Sequence, residues 1–330
     1  MATESAKDLG LVVIGRNEGE RLVRCLQSVA DAQWPVVYVD SGSTDGSRER
    51  ATALGAEVLL LDLARPFTAA RARNAGWRHL LELNPGLRWV QFLDGDCEVA
   101  PGWLAVARAH LVQHHDVAVV CGRRRERFPE HSLYNRLCDI EWDTPVGSAR
   151  ACGGDAMMRV AALAAVDGYR DDLIAGEEPE LCVRLRMAGW SVWRLDAEMT
   201  LHDAAMRHFG QWWRRTMRSG HAFAEGAYLH GRGPTAHFRS EARRATLWGL
   251  ALPLLILLGG WPWRQVAWML LLAYPLQVLR LGWRHQRAGL PLPWVQAFFM
   301  VLGRLPEGLG VARFWWGRWQ GDRSGLIEYK

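Results

Sequence analysis

Four apolar runs punctuate the first 94 residues: LVVIG (11–15), VVYVD (36–40), EVLLLD (57–62) and WVQFLD (89–94). Each is rich in β-branched or aromatic residues and closes on a Gly or an acid, which is the pattern of a short strand buried on both faces. Between the first two, Leu22, Cys25, Leu26 and Val29 recur at i, i+3, i+4 and i+7, so the spacing predicts a helix over 19–33 with one apolar stripe. Ser43 or Asp45 is placed to cap a second helix, and Thr68 a third that runs through AARARNAGWRHLLEL. The resulting order, βαβαβαβ, predicts an α/β fold with a doubly wound, mostly parallel sheet, whose ligands bind beyond the carboxyl ends of the strands. Asp40 and Asp94 lie at such ends. VAVVCG (117–122) reads as a fifth strand and SVWRLDA (191–197) as a later one, after the helix EEPELCVRLRMAG. Between them, 122–150 offers only a basic run, GRRRERF, and a short helix near 134–141.

The pattern changes beyond Ala204. Two apolar stretches, 246–260 and 265–283, are separated by WPWR. As helix the first covers roughly 21 Å against a hydrocarbon thickness of about 30 Å, whereas the second is long enough to cross. Arg239, Arg243 and Arg244 precede the pair and Arg280, Arg284 and Arg287 follow it, so a hairpin over 246–283 would keep both outer ends cytoplasmic. The stretch 294–319 mixes aromatic and Arg residues as an in-plane amphipathic helix does. The alternative is a helical subdomain that packs these segments in water. Two regions are expected: 1–220, carrying the chemistry, and 221–330, associating with membrane.

Charge sharpens this division. Residues 1–203 hold 23 Lys+Arg against 30 Asp+Glu, and 204–330 hold 17 against 5. Of 18 Trp, 11 follow Gly210. A basic, Trp-rich segment suits nucleic acid or an anionic bilayer, and its long apolar runs favour the bilayer over a polar nucleic-acid stripe. The six cysteines (25, 97, 121, 138, 152, 182) have no metal-type spacing and are expected as reduced thiols. The start, MATESAKDLG, lacks the basic and apolar regions of a secretory signal, so a cytoplasmic location is expected, at the inner face of the membrane.

The stretch QFLDGDCEV places Asp94 and Asp96 at the tail of a strand. Hard oxygen ligands so arranged suit Mg²⁺ or Mn²⁺ bridged to a diphosphate, and Gly95 between them permits close approach. The same acids also serve simply to cap a helix beginning near Pro101. Context adds to this reading. In order along the chain, VVIGRNEGERL, VVYVDSGSTDGS, ARNAG, FLDGD and AGEEPELCVRLR resemble successive motifs of the family 2 glycosyltransferases, over roughly residues 9–220. The resemblance implies the GT-A fold, a Rossmann-like sheet here followed by C-terminal apolar helices. It also implies an inverting transfer from a nucleotide-diphosphate sugar, a UDP-sugar favoured, to a hydroxyl of a glycan or lipid-linked acceptor.

Carried over by position, the resemblance assigns Asn17, Glu18, Asp40 and Arg73 to the nucleotide, Asp94 to the ribose and Asp96 to the metal. Taken singly, Arg71 and Arg73 also read as the solvated face of a helix, and Asp40 as a strand end. The family's base motif has Asp where this chain has Glu178. The longer side chain still accepts a proton if it reaches within about 3 Å, so Glu178 is expected as the base, with Glu177 in reserve. Three acids at a helix start are also explained by the helix dipole alone. His202 is placed where relatives ligate the metal, and imidazole suits Mn²⁺ better than Mg²⁺. CGGDAMMR resembles the acceptor loop, which assigns Gly153, Gly154 and Asp155 to the acceptor. QWWRRTMRSG has Arg215 where processive synthases have Trp, which argues for a non-processive enzyme and leaves Arg215 for a phosphate. The rivals are a polyprenyl-phosphate sugar synthase, which needs no base, and a non-catalytic membrane scaffold.

Overall fold

The computed structural model describes residues 8–31, 34–259 and 264–321. The chain divides into two compact units, Met1–Ala205 and Met206–Lys330. The first contains β1 (Leu9–Gly15), α1 (Glu20–Gln27), β2 (Val36–Asp40), α2 (Ser47–Ala53), β3 (Glu57–Leu60), α3 (Ala69–Leu83), β4 (Trp89–Asp94), β5 (Cys97–Val99) and α4 (Trp103–Gln113). It continues with β6 (Val117–Glu126), α5 (Leu133–Glu141), β7 (Gly147–Ser148), β8 (Ala156–Arg159), α6 (Val160–Ala165), α7 (Glu177–Met187) and β9 (Ser191–His202).

One mixed sheet joins the strands in the order β3-β2-β1-β4-β8-β6-β9-β5, with β7 on β9. The four strands read first from the sequence are parallel, while β8 runs antiparallel to both β4 and β6. β1 is buried along nearly its whole length, as a strand covered on both faces must be. α3 presses closely on it: a Cβ at Gly76 would lie 2.4 Å from Val12 Cγ1, so ARNAG needs its glycine for packing. Register does the positioning. Gly15 pairs with Asp40 and Ile14 with Asp94, so the loops leaving β1, β2 and β4 emerge side by side at one edge of the sheet.

Several expectations shift. α1 ends at Gln27; positions 32 and 33 of the expected helix lie outside the described residues. The helix after the acid pair begins at Trp103 with Gly102 as its N-cap and no side-chain cap, so neither Asp94 nor Asp96 is spent as a helix cap. β6 extends through the basic run to Glu126. All six cysteines are free thiols.

The second unit contains α8 (Phe209–His230), α9 (Arg239–Thr246), a π-helical turn (Leu247–Ala251), α10 (Leu252–Gly259), α11 (Arg264–Leu271), α12 (Ala273–Arg287), α13 (Pro293–Leu302) and α14 (Arg304–Gln320). The segment 294–319, expected as one helix, is two: the chain breaks at Gly303, between α13 and α14. Glycines let α14 approach its neighbours backbone to backbone. A Cβ at Gly220 would lie 2.0 Å from Glu307 O, and one at Gly249 1.9 Å from Arg304 O. Gln265–Arg287, across α11 and α12, is 23 residues long and is the one helix among the described residues apolar and long enough to cross a membrane. The expected hairpin's first arm is the π-helical turn and the eight-residue α10, and 260–263 lie outside the described residues.

Candidate active site

The loops after β1 and β2 are tied together by their own polar side chains. Asp40 is buried, and its Oδ2 accepts from Gly42 N (3.0 Å), Ser43 N (2.9 Å) and Arg48 Nε (2.8 Å), while Oδ1 accepts from the Tyr38 hydroxyl at 3.1 Å. Burial pushes its carboxyl up, but the hydrogen bonds from Ser43, Gly42 and Arg48 more than offset this and hold it below the ordinary range. Asn17, at φ 56°, accepts from Thr44 N at 2.8 Å and donates its own N–H to Ser43 Oγ at 2.9 Å. Glu18 pairs with Arg21 at 2.9 Å. The acid and amide read as nucleotide ligands thus also build the loop that presents them.

Arg71 and Arg73 are buried, not solvated. Arg71 donates to Asp62 O (3.0 Å), Arg65 O (2.9 Å) and Pro66 O (2.6 Å), holding the loop before α3. Arg71→Met is expected to cost about 1–2 kcal/mol, because these carbonyls then turn to water, and to speed limited proteolysis within 62–66, read by mass spectrometry. Arg73 is 2% exposed and donates to Asp94 Oδ1 at 2.7 Å and to Glu177 Oε1 at 2.9 Å. It therefore joins the end of β4 to the start of α7.

The glycine pair 153–154 makes room for that bridge. A Cβ at Gly154 would lie 2.6 Å from Asp94 Oδ2 and 2.7 Å from Arg73 Nη2, and Gly153 has φ 79°. Asp155 is the residue expected to contact the acceptor. It is fully buried, and its oxygens accept from Asp94 N (3.0 Å) and the Thr200 hydroxyl (2.8 Å) and pair with Arg124 (2.9 Å). The turn into β8 points this carboxylate at the backbone of β4, where it positions Asp94.

Asp96 and His202 meet because β5 and β9 are antiparallel, with Cys97 opposite His202. Asp96 Oδ1 is 3.4 Å from His202 Nε2, and the Cys97 thiol lies within the same group of donor atoms. Burial, then Arg124, pulls the imidazole down to about 4, so it is neutral near pH 7, as a metal ligand must be. Ligands to one octahedral cation at 2.0–2.1 Å sit about 3 Å apart. Asp96 and His202 fit a divalent cation of the Mn²⁺ or Mg²⁺ type on both counts.

α7 begins at Gly176, left-handed at φ 78°. Its three leading acids have different surroundings. Glu177 is buried against Arg73; Glu180 is buried and takes three hydrogen bonds from Arg184. The Glu178 carboxyl group makes no ion pair among the described residues. Burial, then the neighbouring Glu177, pushes it up to about 7, against the pull of Arg73.

Sequence reasoning missed Arg124 and Thr200. Arg124 Nη2 lies 3.8 Å from Asp94 Oδ2 as well as on Asp155, and burial, which opposes its charge, is more than offset by these acids. The run GRRRERF signalled charge, but strand alternation would have grouped Arg123 with Arg125, whereas register shifts around Arg123 and Arg124 leave Arg123 buried and Arg125 exposed. Arg215 lies on α8, in the second unit.

Strands delivering acids to one edge of a mixed, Rossmann-like sheet define a GT-A-type α/β domain, here followed by C-terminal helices. Residues 11–159 match the family described as Glycosyl transferase family 2. Among characterised proteins, the chain is 27% identical over 202 residues to the succinoglycan biosynthesis protein ExoA of Rhizobium meliloti, covering 56% of this chain and 60% of that one. It is 43% identical over 138 residues to a TPR repeat-containing protein of Synechococcus elongatus, covering 42% of this chain and 32% of that one. The matches thus span less than two thirds of either relative. In fold it is similar to the mannosyltransferase PcManGT of Pyrobaculum calidifontis, solved with GDP-Man and Mn²⁺, at TM-score 0.61 and 19% identity over 92% of this chain and 87% of that one.

Proposed function

We propose that the protein is an inverting, non-processive glycosyltransferase that moves a sugar from a nucleotide-diphosphate sugar, a UDP-sugar in the first instance, to a hydroxyl of a glycan or lipid-linked acceptor. The observation that carries this reading is the Arg73 bridge, which holds the DGD segment and the start of α7 in one cluster. The resemblance of five ordered motifs and the family 2 match supply its chemistry.

In this reading the Asn17–Glu18 turn and Asp40 bind the nucleoside, and Asp94, locked by Arg73 and Asp155, faces the ribose. Asp96 and His202 hold the divalent cation, which when bound supplies positive charge beside the departing diphosphate. Glu178, with a carboxyl near 7, takes the proton from the acceptor hydroxyl as that oxygen attacks the anomeric carbon from the face opposite the diphosphate. A single displacement of this kind inverts the anomeric centre. Gly153 and Gly154 allow the acceptor close to the backbone. Glu177, paired with Arg73, acts as a positioning residue.

Association with the inner face of a membrane is supported by the Gln265–Arg287 helix, by exposed Leu257, Trp268, Met269 and Trp283 around it, and by the excess of 17 basic over 5 acidic residues after position 203. The test is release of nucleoside diphosphate from a panel of UDP-, GDP- and dTDP-sugars by the full chain in detergent. One donor is expected to turn over, with EDTA lowering the rate about 100-fold or more and Mn²⁺ restoring it. Full turnover in EDTA would remove the cation from the mechanism. Absence of binding to any donor would favour a non-catalytic scaffold.

A further inference from the structure

The first unit contains seven tryptophans, at positions 34, 77, 89, 103, 142, 190 and 193. Six belong to its apolar core or pack against it; among the described residues Trp142 alone does neither. It caps the C-terminus of α5, where its N–H donates to Cys138 O. Its half-buried indole lies instead against polar groups of the acid cluster. The Arg124 guanidinium carbon is 5.6 Å from the ring centroid, and the His202 imidazole stands edge-on at 4.8 Å and 87°.

The placement is braced from behind. Asp143 pairs with Arg123 at 3.5 Å and with Arg194 at 3.4 Å, and Arg194 also donates to Thr144 O. Both arginines are buried. A large apolar surface has thus been fixed beside Arg124 and His202, outside the core, where hydrophobic packing gives no reason for it.

Resting on the glycosyltransferase reading above, we infer that Trp142 is the platform for the acceptor, and that the acceptor presents a sugar ring there, not a bare lipid phosphate or a small phosphorylated acid. The electron-rich indole face attracts the weakly positive C–H face of a pyranose and repels an anion. A pyranose stacked there keeps its hydroxyls free for the surrounding polar groups, in the mixture of one aromatic wall and a few polar contacts by which ligand sites orient what they bind.

The test compares Trp142→Leu, which removes the aromatic face, with Trp142→Phe, which keeps one, after circular dichroism has shown both to be folded. The probes are methyl glucosides, galactosides and mannosides, followed by saturation-transfer NMR on the full chain in detergent, which needs no turnover. Ring-proton saturation of at least one glycoside is expected in wild type and in Trp142→Phe and is expected to vanish in Trp142→Leu. With the donor found by the panel, Trp142→Leu is expected to raise KM for that glycoside about tenfold, leaving nucleotide Kd and slow donor hydrolysis by water unchanged. Parallel loss of nucleotide binding and hydrolysis in Trp142→Leu would reduce Trp142 to a support for Arg124 and overturn the inference. So would an unchanged glycoside signal, or acceptance of a polyprenyl phosphate or phosphoglycerate when every glycoside is refused. Glycoside saturation without any donor turnover would fault the catalytic reading and leave the acceptor platform standing.

Discussion

Glu178→Gln is expected to lower transfer by about 10²–10⁴-fold, the usual contribution of a general base, and at the same time to stabilise the protein at pH 8. The two effects share a cause. Burial, then Glu177, raises the Glu178 carboxyl to about 7, so the folded state resists ionisation that the unfolded chain accepts near 4.3. Below the unfolded value both states hold the proton and there is no penalty. As pH rises through the folded value the unfolded state has already ionised, stability falls, and above about 7 the penalty is complete. Removing the charge should recover about 1–3 kcal/mol at pH 8 and less than about 1 kcal/mol at pH 5, measured by denaturant unfolding at both pH values. Activity runs the opposite way: the base must be ionised, so wild-type kcat/KM should rise through about pH 7, and Glu178→Gln should lose that limb. A variant that keeps wild-type transfer would sink the assignment and favour a phosphate nucleophile. A variant that loses activity and is equally destabilised at both pH values would point to a structural role.

Arg73→Met is expected to cost about 3–5 kcal/mol at pH 8, the scale of a buried charge pair broken from one side. Arg73 is 2% exposed and holds Asp94 and Glu177 together. Burial opposes its charge, but Asp94, Tyr169 and Glu177 more than compensate, so it stays charged across the accessible pH range. Methionine fills much of the space and leaves two carboxylates to repel one another in a poorly solvated site. Protonation would relieve that repulsion, so the deficit should shrink between pH 8 and pH 5. A deficit independent of pH would mean that packing, not charge, is what Arg73 contributes. Transfer should fall as well, because Asp94 and the start of α7 lose their common anchor. Glu177→Gln, which leaves Arg73 bound to Asp94, should cost less of both.

The strands and most helices of the first unit were legible, because their periodicities of two and 3.6 residues are local properties. Thr68 capping α3 through Arg71 N is one such case. The acids at strand ends were legible for the same reason. Less legible were features that depend on what a side chain faces. Arg71 and Arg73 are compatible with a solvated helix face until α3 is laid on the sheet. Asp155 reads as an acceptor contact, and only the turn into β8 shows it aimed at Asp94 N. The break at Gly303 divides an aromatic stretch whose composition runs on through it.

By itself, the sequence determined the order of elements, the carboxylates at the edge of the sheet and the change to apolar, basic helices after position 204, since each rests on residues near one another along the chain. Tertiary structure alone decided which acid is neutralised and which is left with a raised carboxyl. Arg73 reaches 104 positions along the chain to take Glu177, while burial and the neighbouring Glu177 raise the Glu178 carboxyl. Charge and solvation depend on distance in space, and the chain encodes that distance only once it has folded.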